Sequence, residues 1–346
     1  MSERLPGTPP RSVVTVAFLL LFGATGAALW LLPGPVPVAG AAQAVRGAVA
    51  INAATELTGM EHTRRLVVQP PRPGPSGLLL FARTATRPKF DPVAATRRSG
   101  ARWVLLGHLN ATGPSGCQPR WGGVRDLDDD PVARRLGALR AAGGHAAPAF
   151  GGHSGRELAA ACADRAGLIA AYRRVIDALD ATHLDFEIAG PDDPRVAAYR
   201  ADVLGELRRE AAERGRTLTV SFSLPLSPGG LSTADRRLLA ATGDAVDTVN
   251  LLAPLRPSAD GRHLRELASA IRQARAQIVE ALALPAGDDG WGHIALTTTL
   301  SRTADLSAAD ARTLAGYAER RNLAWLSFRG ARPGPGVTRA LARPTR

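Results

Sequence analysis

The chain has 346 residues, 45% of them hydrophobic and 21% charged, which suffices to bury a large core as one big domain or two ordinary ones. It is strongly basic, with 43 Lys+Arg against 31 Asp+Glu, and Lys89 is its one lysine, so the other cations are arginines. With abundant alanine, glycine and proline, that balance reads first as a codon-driven basic surface and second as an affinity for anionic lipid or wall polymer. Nucleic acid is not expected as a partner, because no aromatic-basic platform or reader motif occurs. The seven histidines are scattered and no Cys/His metal spacing exists, so neither a metal nor a cofactor is expected.

In chain order, residues 1–12 carry Arg4 and Arg11 and precede a charge-free run of 20 residues, 13–32. That length suits a membrane-spanning helix, and the flanking arginines leave the first 12 residues in the cytoplasm. Cleavage of the run as a signal near Ala39-Gly40-Ala41 is the alternative, giving a secreted rather than an anchored protein. Either route exports the remainder of the chain. Residues 33–76, rich in Pro, Gly and Ala, read as a linker with one short element near 48–57. Export makes a Cys117–Cys162 disulfide the natural expectation, with two independent buried thiols as the alternative.

From residue 77 to 331 a short apolar run alternates with a longer amphipathic stretch. Strands are predicted at 78–82, 102–109, 145–152, 182–188, 217–224, 247–253, 293–299 and 323–328. Helices are predicted at 157–179, 194–214 and 261–283. Eight strands alternating with helices over this length predict an α/β fold of the (β/α)8 TIM barrel type. A doubly wound open sheet is the alternative, although no glycine-rich phosphate loop follows the first strand. Residues 332–346 read as a basic disordered tail.

The fourth strand carries the informative pattern, HLDFEIAG. Side chains at i, i+2 and i+4 share one face of a strand, so Asp185, Glu187 and Ala189 form one row and Leu184, Phe186 and Ile188 the other. Two neighbouring carboxylates are costly unless they line a polar cavity. In a barrel the chemistry sits at the C-terminal ends of the strands, which is where Ala189 falls.

The stretch LIAAYRRVIDALDATHLDFEIAG resembles the fourth helix-strand unit of glycoside hydrolase family 18, the chitinases, and its bacterial branch in particular. PAFGGHSGRELAAAC, VNLLAP, WGHIALTTTLSR and LAWLSFRGARP resemble the third, sixth, seventh and eighth strands in order, and GCQPRWGG is also familiar. The resemblance implies a TIM barrel, a chitin-related glycan as partner, and a fourth-strand motif D-x-x-D-x-D-x-E. Thr182, Asp185, Glu187 and Ala189 occupy its four acidic positions. In that family the final glutamate protonates the glycosidic oxygen, while the preceding aspartate orients the substrate's N-acetyl group, whose oxygen attacks the sugar.

Here the acid position is Ala189 and the orienting aspartate is Glu187. Two residues along a strand span about 6.6 Å, while one methylene adds little reach, so Glu187 sits too deep to replace the acid. The departures form a set. Ala253, Pro254 and Leu255 stand where the resemblance implies Met-x-Tyr, Arg329 where it implies a tryptophan floor, and Ala149 where it implies serine. No catalytic residue is therefore assigned in the degenerate motif of Asp185, Glu187 and Ala189. The cleft-lining candidates are Asp185, Glu187, Asn250, Arg329, Trp121 and Trp291. Ser221, Ser223, Asn250 and Thr297 alternate suitably to satisfy the two acids, and Arg329 at the mouth could meet a carboxylate or phosphate on a wall polymer.

Three functions are compatible with these residues. The first is a non-catalytic, extracytoplasmic barrel that binds a glycan, a cell-envelope polymer or a protein. The second is an active chitinase-type hydrolase with a relocated acid at Glu187, Asp192 or Asp193. The third is a scaffold whose cleft is filled by side chains.

Overall fold

The computed structural model describes residues 74–113, 116–153, 155–188, 193–257 and 261–342. The expectations for residues 1–12, 13–32 and most of 33–76 lie outside these. Among the described residues no helix is long and apolar enough to cross a membrane.

The described chain runs β1 (Gly77–Arg83), α1 (Pro92–Ser99), β2 (Trp103–Ala111), β3 (Pro119–Trp121), α2 (Leu136–Ala141), β4 (His145–Gly151), α3 (Leu158–Ala161) and α4 (Arg165–Leu179). It continues through β5 (His183–Glu187), α5 (Pro194–Glu213), β6 (Thr219–Pro225), α6 (Thr233–Thr242) and β7 (Thr248–Pro254). The last elements are α7 (Arg262–Ala281), β8 (Ile294–Leu300), α8 (Ala308–Arg321), β9 (Trp325–Gly330) and α9 (Pro335–Ala342). Eight strands pair in parallel in the order β1-β9-β8-β7-β6-β5-β4-β2, and β1 pairs with β2 to close the ring. The molecule is a TIM barrel, as the alternation of strands and helices predicts.

The period-2 pattern sorts side chains into two layers. Leu79, Trp103, Leu105, Ala147, Ala149, Ala295 and Trp325 pack inside the barrel. Outward residues such as Leu106, Phe150, Phe186, Phe222 and Leu296 pack under the helices in a separate and larger cluster. One charge is sealed into that outer layer. Arg200 of α5 is fully buried, and its Nε donates to Glu157 at 3.0 Å, while the Tyr172 hydroxyl donates to the same carboxylate. A buried charge of this kind persists only when it is paired and hydrogen-bonded.

Three elements differ from the sequence expectation. β3 is an extra strand, folded back antiparallel on the end of β2. The helix expected over 157–179 is two, because Cys162 takes an extended backbone and Asp164 restarts the helix by accepting from the Gly167 amide at 2.7 Å. The tail expected to be disordered from 332 instead forms α9, with Val337 and Leu341 buried. Those two residues lie one helical turn apart, and the i, i+4 stripe they make is what seats the helix.

Candidate functional site

Of the row read from HLDFEIAG, Asp185 and Glu187 face the barrel interior. Asp185 and Glu187 of β5 are 0% and 4% exposed; Ala189 and Asp192 lie outside the described residues. Asp185 accepts from Ser221 Oγ at 2.5 Å and from Ser223 Oγ at 2.9 Å, both on β6. Asn250 Nδ2 of β7 donates to Ser223 Oγ at 2.8 Å, and Thr297 Oγ1 of β8 donates to Asn250 Oδ1 at 2.8 Å. His183 closes the lower end of this chain, with Nδ1 and Nε2 at 2.8 and 2.9 Å from the hydroxyls of Thr219 and Ser221. The four partners expected from alternation are thus assembled, but around Asp185 alone.

Glu187 has a different shell. Its Oε2 lies 2.6 Å from His108 Nε2 and is ion-paired with Arg329 Nη1 of β9. His153 Nδ1 stands 3.5 Å from Oε1 with its side chain 76% exposed. Arg329 in turn stacks on Phe81 of β1, its Cζ 3.9 Å from the ring centroid. His108 reaches the interior through a local irregularity. The β2–β4 register slips between Gly107 and Leu109, as a bulge does, so Trp103 and Leu105 face inward before it and His108 faces inward after it. Gly152 gives the imidazole room: it sits at φ +77°, and a Cβ there would come within 2.7 Å of the His108 ring.

These shells set the charges. Burial alone would raise Glu187, but the His108 hydrogen bond and the Arg329 charge overcome it and lower its pKa to about 2. Burial raises Asp185 to about 6 against the opposing Arg329 charge and serine hydrogen bonds. Burial lowers His183 to about 3. Near neutral pH Glu187 is therefore a carboxylate held by two partners and has no proton to give. Asp185 sits beneath it, without exposure.

Of the other candidates, Arg329 lines the mouth beside Glu187, while Asn250 lies wholly buried in the Asp185 network. The two tryptophans do not line the cleft. Trp121 on β3 is 0% exposed. Trp291 precedes β8, at the barrel end opposite the mouth, edge-on to Tyr317 and beneath Arg321 and Arg275. Both rings are buried in packing, the commoner fate of an aromatic. Asp193 is the N-cap of α5, accepting from the Arg195 amide at 2.9 Å, which accounts for it without a catalytic role. Ala149, Ala253 and Leu255 are buried and Pro254 is exposed, so none supplies a side-chain polar group at the rim. Asn110 is buried too, its Nδ2 donating to Gly151 O at 2.6 Å. Cys117 and Cys162 form the expected disulfide, their Cα atoms 4.8 Å apart. His108 and Phe81 are site residues that the sequence reading missed.

A cavity of about 900 Å³ opens from Glu187 and His108, past Phe81 and Arg329, into the gap between α1 and α9. It is at the upper end of ligand-site volumes, so the cleft is not filled. Among the described residues no group of three or more His, Cys, Asp or Glu side chains could hold a metal ion.

A closed parallel barrel with acids along its fourth barrel strand and an open cleft above them defines a chitinase-like fold. Solved structures agree. The catalytic domain of the hyperthermophilic chitinase from Pyrococcus furiosus matches with a TM-score of 0.64 and 23% identity, over 78% of this chain and 95% of that one. The family 18 chitinase from Cycas revoluta in complex with (GlcNAc)3 matches at a TM-score of 0.53 and 12% identity, over 77% and 99%. Among curated proteins, a probable bifunctional chitinase/lysozyme of Escherichia coli (strain K12) is 25% identical over 167 residues. That match takes in 47% of this chain but only 19% of the relative's length. No family profile matches the chain. The chain has the fold of the family 18 chitinases.

Proposed function

We propose that this chain is an extracytoplasmic chitinase-like barrel, anchored through residues 13–32, that no longer hydrolyses glycosidic bonds and uses its cleft to bind a glycan. The observation that carries the reading is the fate of Glu187. The acid that could have been recruited in place of the missing one at Ala189 is clamped between Arg329 and His108, ionised and short of the proton a leaving group needs. The other departures point the same way. Ala253, Pro254 and Leu255 offer no hydroxyl to hold a reacting sugar, and Arg329 spends its charge where a flat ring would otherwise carry that sugar.

The open cleft favours binding over a purely structural role, since a scaffold would have filled it. The Cycas structure holds an N-acetylglucosamine trimer, which supports a saccharide as the kind of occupant. The test is to pass the purified full chain over a glycan array and to incubate the same sample with a chromogenic chitobioside. Binding without turnover is the expected result. Turnover would return the cleft to the hydrolases, and absence of binding to any glycan would favour a protein partner.

A further inference from the structure

Six arginines converge on the cavity: Arg83 and Arg87 at the end of β1, Arg98 on α1, Arg329 and Arg332 at the end of β9, and Arg339 on α9. Among the described residues, the one acidic side chain along the same wall is Glu187, and Arg329 already neutralises it. Elsewhere many arginines are answered by carboxylates, as in Arg165 with Asp202 and Glu206, Arg173 with Glu210, and Arg208 with Asp247. Around the cavity only Arg329 is, by Glu187. The side chains of Arg83, Arg87, Arg98, Arg332 and Arg339 make no ion pair or hydrogen bond among the described residues.

A second observation comes from Arg329. Its side chain is only 10% exposed, yet Nε and Nη2 are buried with no acceptor among the described residues, so only Nη1 is engaged, by Glu187. A guanidinium is a rigid fork that matches carboxylate and phosphate oxygens two at a time. Buried donors of this kind are costly until an acceptor meets them. Beside these cations lie the rings of Phe81, Phe90 and Phe328, flat apolar surface of the sort on which sugar faces rest.

We infer that the arginine-lined cavity between α1 and α9 is a binding site for an acidic saccharide, a sugar chain carrying carboxylate or phosphate groups, with Arg329 as its inner anchor. The inference rests on the cleft being a binding site rather than a hydrolytic one, and it specifies the ligand. The long cationic wall suits a repeating charge better than a neutral oligomer, and the phenylalanines suit sugars better than a bare polyanion. The attraction weakens as salt rises, because the outer arginines are exposed to solvent.

The experiment compares the full chain with two triple variants. Arg83→Gln/Arg98→Gln/Arg339→Gln removes three exposed charges from the cavity wall. Arg237→Gln/Arg265→Gln/Arg312→Gln removes three exposed, equally unpartnered charges from other helices. Each protein is titrated with oligogalacturonate, poly(glycerol phosphate), chitotetraose and a short single-stranded RNA at one ionic strength. At least one acidic saccharide should bind, the cavity variant should lose about tenfold or more in affinity, and the control variant should match the parent. Which acidic probe binds tighter separates carboxylate from phosphate as the source. Equal losses in both variants would overturn the inference in favour of bulk charge. Chitotetraose binding as tightly as the acidic probes, or RNA binding tighter than both and weakened by the cavity variant, would overturn it too. Chitobioside turnover by the parent would contradict the loss of hydrolysis separately, without altering these titrations.

Discussion

Glu187 shows what two close partners do to a buried acid. With Arg329 on one side and His108 on the other, its proton is held off until the pH falls far below the ordinary carboxylate range. Its stabilising contribution is therefore present above its ordinary value of 4.5 and is lost as the pH falls from there toward about 2. Arg329→Met should cost about 3–5 kcal/mol in urea denaturation, because it strands a buried charge. Adding Glu187→Gln should recover part of that loss; two additive penalties would mean that the pair is not coupled. Asp185 and His183 provide a second test. Folded Asp185 keeps its proton to about 6 against an ordinary 3.8, so its contribution is lost as the pH rises through 6. Folded His183 stays neutral to about 3 against an ordinary 6.5, so its contribution is lost as the pH falls below 6.5. Between about pH 4 and 6 the two oppose each other, about one proton each. Asp185→Asn leaves His183 alone and should add about 1.4 kcal/mol of lost stability per unit of falling pH relative to the parent. Equal pH slopes in denaturation of parent and variant would contradict the assignment.

At the scale of the element, the β2 bulge and the α3–α4 break explain what the sequence could and could not reveal. The interior row of β5 and its partners Ser221, Ser223, Asn250 and Thr297 were legible because regular strands alternate with a fixed period. His108 was not, since straight alternation from Trp103 turns it outward and only the slipped register turns it in. Trp121 and Trp291 were misplaced for a related reason: a loop aromatic announces a large apolar surface but not which side of the chain will bury it. The disulfide, by contrast, follows from two cysteines in a chain whose first 32 residues predict export. It ties the segment before β3 to the end of α3 across a separation of 45 residues. Closing such a loop contributes about 4 kcal/mol in the chain-entropy picture. Cys117→Ser/Cys162→Ser should lower unfolding free energy by about that amount, and thiol titration of the unreduced protein should find none. Two reactive thiols under denaturing conditions would contradict the bridge. For α9, the apolar pair Val337 and Leu341 was visible in the sequence but outweighed by flanking Pro, Gly and Arg. Leu341→Ala should cost about 2–5 kcal/mol if that helix is seated as described.

The whole molecule has the barrel of the family 18 chitinases, and the proposed function holds that the groups that would run its chemistry have been replaced together. The strand pattern was legible along the entire barrel because eight repeats of one alternation reinforce each other. The cavity was not, because its wall is assembled from β1, β9, α1 and α9, which are far apart in sequence. The proposed export predicts that protease added to intact spheroplasts digests the barrel; full protection would reject export, and release of a soluble form beginning near Ala42 would show signal cleavage instead. One series measures the loss of hydrolysis most directly: turnover of chitin oligomers by the parent, by Ala189→Glu, and by Ala189→Glu combined with Glu187→Asp, Arg329→Trp and Met-Asp-Tyr at Ala253 to Leu255. Restoring an acid supplies about 10²- to 10⁴-fold, whereas holding the reacting groups supplies about 7–11 kcal/mol, so the acid alone is not enough. No turnover is expected from the parent or from Ala189→Glu, and at best detectable turnover from the rebuilt cleft. Strong turnover by the single variant would show the remaining cleft to be intact, and strong turnover by the parent would contradict the loss of hydrolysis itself.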